Sequence, residues 1–349
     1  MDYSGRFRPV RPLVAADDFN HPVEPHPFFN ESRYAHLVDG AQGIGGWFRV
    51  GQRANQGHAE MTACLYLPDG RVGFCFARPG EVDPARAEAG GLRFEVIEPF
   101  VRRRLLYAGP MHILPHGELM ENPRAAFQAH PAVPCEVALE LESVAPAHGG
   151  ELLGDDGQPY DEGEGRYFAR AHVDQSLRGR GHVRMGDESW TLNGHGLIDH
   201  SWGPRIWQAI PWYRWFPCTF GDDFALCLMV VRQADGRLLR TGYLHEGGPG
   251  LVHVDEISLA SRYDARGYPT GFDLGITDAR GRRFEVVGET VNAVPCRHVR
   301  RLDDGRTDHT RIMESLTRYR CNGREGWGLA EYMDHVDADG RFEGVAAGW

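Results

Sequence analysis

Apolar and polar residues alternate along much of the chain with a period of two, which is typical of β-strands with one buried face. The alternation is clearest at 93–97 and 136–142. Turn-forming pairs recur between such segments, and Asp69-Gly70 and Asp235-Gly236 each separate two apolar runs that can pair as a hairpin. One short helix is predicted at Pro123–Ala129. We therefore expect an all-β chain of antiparallel strands that is closed or nearly closed, because exposed strand edges favour aggregation.

Two segments with little regular pattern divide this β chain. Residues 1–30 carry five prolines, which predicts an irregular lead-in that wraps over the later structure. Residues 149–165 are rich in Gly, Asp and Glu and hold almost no apolar side chains. Such a segment is a candidate domain boundary. We expect an N-terminal β domain with its lead-in at 1–165 and a C-terminal β domain at 166–349.

The charge balance and the basic residues exclude several classes of function. The 349 residues include 49 acidic and 38 basic ones, a formal net charge of −11, which argues against a nucleic-acid partner. Every basic residue is Arg, so Schiff-base chemistry, pyridoxal phosphate anchoring and a phosphate-loop lysine are excluded. The sequence also lacks G-x-S-x-G and G-x-G-x-x-G motifs. No organic cofactor is expected.

The cysteines and the apolar runs indicate the compartment. The seven cysteines are odd in number and form no C-x-x-C pair, which favours free thiols in a reducing environment. The N-terminus has no apolar core of signal length, and the longest apolar run is the eight residues 224–231. We expect a cytoplasmic protein without stable membrane insertion. The sequence leaves a homodimer open.

Candidate chemistry is densest at 194–216, which holds four of the eight tryptophans. Asp199 and His200 are adjacent, and Arg205 follows closely. In an apolar cavity, such groups can form a proton donor and acceptor of unlike pKa. We therefore predict these three as the catalytic residues. The predicted substrate-binding residues are the rings and polar groups that can line a pocket, namely Trp202, Trp207, Trp212, Tyr213, Trp215, Tyr107 and Glu331.

Three other interpretations remain open for these residues. Asp199 can pair with Arg205 simply to hold a loop, with the rings as core packing. The pocket can belong to a carrier that binds a lipophilic molecule without changing it. A metal-dependent enzyme could use the histidine-rich strands, which hold His172, Asp174, His182, His195 and His200. Because none of these spacings matches a tight ligand motif, no metal site is predicted.

The segment Gly194-x-Gly-x-x-Asp-His-Ser-Trp-Gly-x-Arg205 resembles the signature of the lipocalin-like proteins related to carotenoid 1,2-hydratase (hydroxyneurosporene synthase) and the AttH group. This resemblance implies a pair of packed lipocalin-like β-barrels or half-barrels and a pocket for terpenoid-like substrates. It also implies that Asp199 is the acid, with His200, Trp202 and Arg205 around it. Many relatives carry Arg immediately before the Asp, where this chain has Ile198.

Taken together, these observations favour a cofactor-independent acid/base enzyme, namely a hydratase or lyase, an isomerase or a cyclase. Its substrate is expected to be an apolar, terpenoid-like small molecule that is bound in a Trp-lined pocket. Steady turnover without metal would separate this enzyme from the carrier and from the metal-dependent enzyme.

Overall fold

The structure, a computed structural model, describes residues 10–80, 83–154, 156–160, 168–301, 305, 307–337 and 339–346. The described residues are mainly antiparallel strands, with two short helices, α1 (Pro123–Ala129) and α2 (Glu343–Ala346). Neither helix has the length and apolar character that crossing a membrane requires. The chain divides into two compact units, which are described separately below.

The N-terminal unit comprises Arg8–His116 and Asn122–Arg205. Its strands are β1 (Phe29–Asp39), β2 (Ile44–Arg53), β3 (His58–Tyr66), β4 (Val72–Ala77), β5 (Glu88–Ala89), β6 (Leu92–Glu98), β7 (Arg102–Leu114), β8 (Ala132–Ser143), β9 (His148–Glu151), β10 (Ala171–Met185) and β11 (Glu188–Pro204). They pair in the order β4-β3-β2-β1-β11-β10-β8-β7-β6-β5, with β9 beside β10. Because β4 also pairs with β7, eight of these strands close into a ring.

Alternation places one face of each strand inside this ring. The interior face carries a core of apolar side chains that includes Leu37, Phe48, Leu65, Leu139 and Leu177. Side chains at the intervening positions point to the outer face of the ring. The period-two pattern of the sequence is therefore the pattern of this interior core.

The lead-in folds back against the ring, as the sequence predicts. Residues 10–28 contain one 3₁₀ turn, Ala15–Asp18, and are otherwise irregular apart from an isolated bridge at Val10. Asp18 lies 2.9 Å from the guanidinium of Arg103 and 3.5 Å from that of Arg33, and all three side chains are buried. Because each buried charge has an opposite partner, the lead-in is anchored to the ring by ion pairs.

The predicted helix coincides with α1. Pro123 occupies its first turn, and the Asn122 side chain accepts a hydrogen bond from the backbone N–H of Ala125 at 3.3 Å. Both features are favoured at helix N-termini. The two predicted hairpins are also confirmed, since β3 pairs with β4 and, in the C-terminal unit, the strands on either side of Asp235-Gly236 pair with each other.

The C-terminal unit comprises Met1–Phe7, Gly117–Glu121 and Ile206–Trp349, of which residues 1–7, 302–304, 306, 338 and 347–349 lie outside the described residues. Its strands are β12 (Trp212–Thr219), β13 (Ala225–Arg232), β14 (Leu238–His245), β15 (Leu251–Tyr263), β16 (Pro269–Asp278), β17 (Arg283–Arg301), β18 (Thr307–Cys321) and β19 (Arg324–Val336). They form a closed antiparallel barrel, in which β19 pairs with β12. An apolar core that includes Trp212, Phe216, Phe272 and Tyr319 fills its interior. The predicted all-β fold of antiparallel barrels is thus confirmed.

The division between the units falls at Arg205 and not at residue 165. β10 pairs with β8, and β11 pairs with β1, so both strands belong to the N-terminal ring. Of the predicted boundary segment 149–165, residue 155 and residues 161–165 lie outside the described residues. The composition of that segment signals a loop, whereas the pairing of the strands that follow it decides the unit to which they belong.

Candidate active site

The hairpin of β10 and β11 places the predicted acid opposite a second carboxylate. Met185 pairs with Glu188 across a two-residue turn, and the same register sets Asp174 opposite Asp199 and His172 opposite Ser201. β1 lies on the other side of β11. Residues that are directly opposite in an antiparallel pair point to the same face. Asp174 and Asp199 therefore share the outer face of the ring.

His172, Asp174 and Asp199 form what we call the acid/base cluster. The Nε2 atom of His172 contacts the Oδ2 atom of Asp199, and its Nδ1 atom lies 3.5 Å from the Oδ2 atom of Asp174. Asp174 and Asp199 are buried, whereas a third of the His172 side chain is exposed, at 34%. One imidazole thus lies between two buried carboxylates and remains accessible.

Burial and charge act in opposite directions on this cluster. Burial disfavours the charged form of His172, but the charges of Asp174 and Asp199 and the hydrogen bond to Asp199 outweigh it and raise its pKa to about 9. Burial alone would raise the pKa of Asp199, but His172 and then Arg205 outweigh it and hold that pKa below its ordinary value. At neutral pH the proton therefore resides on His172, whereas the sequence predicts Asp199 as the acid.

Arg205 is held beside the cluster by several contacts. Its Nη2 atom donates to the Ser201 hydroxyl at 2.9 Å, and its Nε atom donates to the Phe168 carbonyl at 2.8 Å. The guanidinium also lies 5.0 Å from the centre of the Phe168 ring. Arg205 is thus a fixed positive charge that favours the ionised form of Asp199.

His200 does not join this cluster, because successive side chains of a strand point to opposite faces. It lies on the interior face of the ring, where its Nε2 atom is 2.5 Å from the Oε1 atom of Glu31 and its Nδ1 atom is 3.0 Å from the Asp17 carbonyl oxygen. Burial and the nearby Arg33 lower the pKa of His200, against the opposing effect of Glu31. The expectation that Asp199 and His200 act side by side is therefore corrected.

Two of the predicted substrate-binding rings also lie inside the N-terminal ring of strands. Trp202 is buried on the interior face, where it stacks on His21 with 3.9 Å between ring centres. Tyr107 belongs to the interior core, and its hydroxyl donates to the Pro110 carbonyl. Neither ring shares the outer face with Asp199, so neither forms the predicted wall of a pocket around that carboxylate.

The remaining predicted wall residues belong to the C-terminal unit, and all are buried. Trp207 lies in a 3₁₀ turn, Trp207–Ala209. Trp212 points into the barrel core, whereas Tyr213 and Trp215 occupy the alternate positions of β12 and do not belong to that core. The Trp215 indole N–H donates to the Cys227 sulfur at 3.1 Å. Glu331 lies on β19, opposite Trp215 of β12 on one side and opposite Glu314 of β18 on the other.

A cavity of about 780 Å³ also lies in the C-terminal unit. Its lining includes Glu121, Arg297, His309, Arg311, His335 and Phe342. None of the predicted site residues lines it. His172, Asp174 and Asp199 are likewise not among its lining residues.

The sequence predicts no catalytic role for His172 or Asp174, which enter the predictions only as possible metal ligands. A signal was present, because the Gly186-Asp187 turn sets a register that places both residues close to Asp199. His182 and His195 lie nearer that turn and join neither of the two His-containing clusters found among the described residues. His172 also supplies the charge partner of Asp199, a role that position 198 cannot fill because Ile198 points into the core.

Comparison with known families covers nearly the whole chain. A family model described as "Domain of unknown function (DUF7064)" matches residues 14–336. The chain belongs to this family. None of the curated proteins compared with this DUF7064 chain is similar in sequence.

Several solved structures share the fold of the DUF7064 chain. A protein assigned as AttH from Nitrosomonas europaea is 15% identical, with a TM-score of 0.61, and the match covers 93% of this chain and 97% of that one. Kievitone hydratase from Nectria haematococca is 9% identical, with a TM-score of 0.53 over 94% and 98% of the two chains. CghA is 11% identical, with a TM-score of 0.52 over 94% and 97%. At these identities the likeness establishes the fold alone, and it agrees with the predicted resemblance to the AttH group.

Proposed function

We propose that this protein is an acid/base enzyme of the hydratase or lyase type, which acts on an apolar, terpenoid-like substrate without an organic cofactor. The observation that carries the proposal is the position of the His172 imidazole between two buried carboxylates. It supplies a proton donor and a proton acceptor within one cluster, and both are required for adding or removing water.

The chemistry can be followed proton by proton. A carboxylate of the cluster takes a proton from water while the water oxygen bonds to one carbon of a double bond. The His172 imidazolium gives its proton to the other carbon. The protonated carboxyl then returns its proton to the neutral imidazole, which restores the cluster, and dehydration follows the reverse path.

The acidity of His172 narrows the substrate class. With a pKa of about 9, the imidazolium is a weak acid. It suits a double bond that is polarised by conjugation, since an isolated alkene needs a much stronger acid. Arg205 would keep Asp199 ionised as the base. The finer proposal of a terpenoid-like substrate rests on the Asp199-His200-Ser201-Trp202-Gly203 motif, which resembles that of the carotenoid 1,2-hydratase and AttH group.

The comparisons add support at the level of the fold. One structural neighbour is named as a hydratase, and another is assigned to the AttH group that the sequence motif resembles. A shared fold hosts many activities, so the reaction is argued here from the acid/base cluster.

The proposal is tested by turnover in ¹⁸O-labelled water. Prenyl compounds with conjugated double bonds are incubated with chelator-treated protein, as are the alcohols that form when water adds to them. The products are identified by mass spectrometry. We expect ¹⁸O incorporation that falls by about 10²–10⁴-fold in His172→Gln and in Asp199→Asn. The matched control is His182→Gln, which changes an exposed histidine of the same strand and should retain full turnover. Unchanged turnover in His172→Gln would refute the assignment, and binding without product would favour the carrier.

A metal-dependent hydratase is the second candidate. Ligand atoms of His172, Asp174 and Asp199 lie within 4.8 Å of one another, which is close enough to share one ion. Activity that disappears on chelation and returns with a divalent ion would favour this candidate over the proton mechanism.

A further inference from the structure

A second group of convergent side chains lies on the interior face of the N-terminal ring. We propose that His21, Glu31 and His200 bind a divalent transition-metal ion of the zinc type, which fastens the lead-in to the ring. The nitrogen atoms that face Glu31 Oε1 are His200 Nε2 at 2.5 Å and His21 Nδ1 at 3.2 Å. One ligand atom from each residue lies within 4.8 Å of the others. Two imidazoles and one carboxylate are a common ligand set for zinc.

In each imidazole, the nitrogen that faces away from Glu31 lies near a hydrogen-bond acceptor, as it does in histidines that bind metal ions. His200 Nδ1 lies 3.0 Å from the Asp17 carbonyl oxygen, and His21 Nε2 lies 3.4 Å from the Asp17 carboxylate. Metal-binding histidines generally donate their second N–H to such an acceptor, which fixes the tautomer and the ring orientation. Asp17 thus orients both imidazoles toward Glu31.

The contact between His200 and Glu31 itself requires a cation. A carbonyl oxygen only accepts hydrogen bonds, so His200 Nδ1 must carry the hydrogen that points at Asp17. A neutral ring then directs the lone pair of Nε2 at a carboxylate oxygen only 2.5 Å away. Two acceptors at this distance repel each other unless a proton or a metal ion lies between them. A shared proton is therefore the direct competitor of the metal.

Glu31 supplies a further reason to favour the metal. Its side chain is buried, at 3% exposure for the residue, and its Oε2 atom has no hydrogen-bond partner among the described residues. A proton shared with His200 satisfies only Oε1. A metal ion can engage either oxygen, and zinc–ligand distances of about 2.0–2.2 Å need only a small outward movement of the carboxylate.

The three ligands come from separate parts of the N-terminal unit. His21 belongs to the lead-in, Glu31 to β1 and His200 to β11. A shared ion would therefore tie the lead-in to two strands. Trp202 stacks on His21 at 3.9 Å and lies 5.0 Å from the His200 ring, so its fluorescence can report an ion bound there.

The test measures metal binding by the full chain after dialysis against a chelator. Zn²⁺ or Co²⁺ is added back, and bound metal is counted by equilibrium dialysis and elemental analysis. We expect one tightly bound ion from this site, a Co²⁺ absorption spectrum typical of nitrogen and oxygen ligands, and quenching of tryptophan fluorescence by Co²⁺. The spectrum and the quenching test the wild-type site directly, without any substitution.

Substitutions then locate the ion. His21→Gln alters the partly exposed ligand and should weaken binding at least tenfold, whereas His26→Gln, which changes another histidine of the lead-in, should leave binding unchanged. Asp174→Asn removes a member of the acid/base cluster and should also retain the ion. Absence of a stoichiometric ion in wild-type protein would identify the shared proton and overturn the proposal. Loss of the ion in Asp174→Asn with retention in His21→Gln would equally overturn it, by assigning the metal to the acid/base cluster.

Discussion

Asp199 and His200 are consecutive residues of β11, but Asp199 contacts His172 on the outer face of the ring and His200 contacts Glu31 on its interior face. A pair that looks like one acid/base unit in the sequence therefore belongs to two separate clusters. In the proposed function, the outer cluster moves protons to and from the substrate. The interior one joins the lead-in to the strands.

The environment of His172 predicts an unusual titration. In wild-type protein its imidazole should titrate near pH 9, because Asp174 and Asp199 outweigh the effect of burial. Asp174→Asn removes one of the two charges and should move the pKa toward the ordinary value of about 6.5. Two-dimensional ¹H–¹⁵N spectra of labelled imidazoles measure both values, with His172→Gln used for assignment. A wild-type value near 6.5 would contradict the proposed ion pair.

The same ion pair predicts how stability changes at alkaline pH. Because the pKa of His172 is higher in the folded protein, its stabilisation is fully present below about pH 6.5 and is lost as the pH rises through about 9. The loss should be on the order of 1 kcal/mol, since solvent screens a side chain that is one-third exposed. Urea unfolding between pH 6 and 10 measures it. His172→Gln should flatten this part of the profile, and an equal slope in the variant would exclude His172 as its source.

The environment of His36 predicts that the folded protein is less stable in acid. The side chain is buried at 1% exposure, neither ring nitrogen has a hydrogen-bond partner among the described residues, and burial lowers the pKa to about 3. Below pH 6.5 the His36 side chain binds a proton in the unfolded chain but stays neutral in the folded chain. This difference lowers the free energy of unfolding by about 2 kcal/mol at pH 5. His36→Leu should remove this contribution, whereas His182→Leu, at an exposed position, should not. Free energies of unfolding at pH 7 and pH 5 provide the comparison.

Asp18 should be critical for the stability of the N-terminal unit. Asp18→Asn leaves Arg33 and Arg103 buried without their anionic partner, and removing one member of a buried ion pair costs about 3–5 kcal/mol. Asp69→Asn removes one of the two exposed carboxylates that pair with Arg71, the other being Glu188, and should cost less than about 1 kcal/mol. Denaturant unfolding of the two variants tests the contrast. Equal, small losses would show that the lead-in is not anchored by this network.

Local patterns were sufficient to predict most of the secondary structure. The helix at Pro123–Ala129 and the hairpins around Asp69-Gly70 and Asp235-Gly236 depend on residues close together in the chain, and all three are confirmed. The boundary at 165 was misplaced because it depends on which distant strands β10 and β11 join. Composition carries no information about those pairings.

By itself, the sequence determined that the chain is all-β and that Asp199 lies in its densest region of chemistry, because alternation and side-chain type are properties of the residues themselves. Only the tertiary structure decided that His172 and Asp174 accompany Asp199, and that His21 and Glu31 accompany His200. The physical reason is that strand register and the path of the lead-in bring together groups far apart in sequence, and each pKa follows from those neighbours.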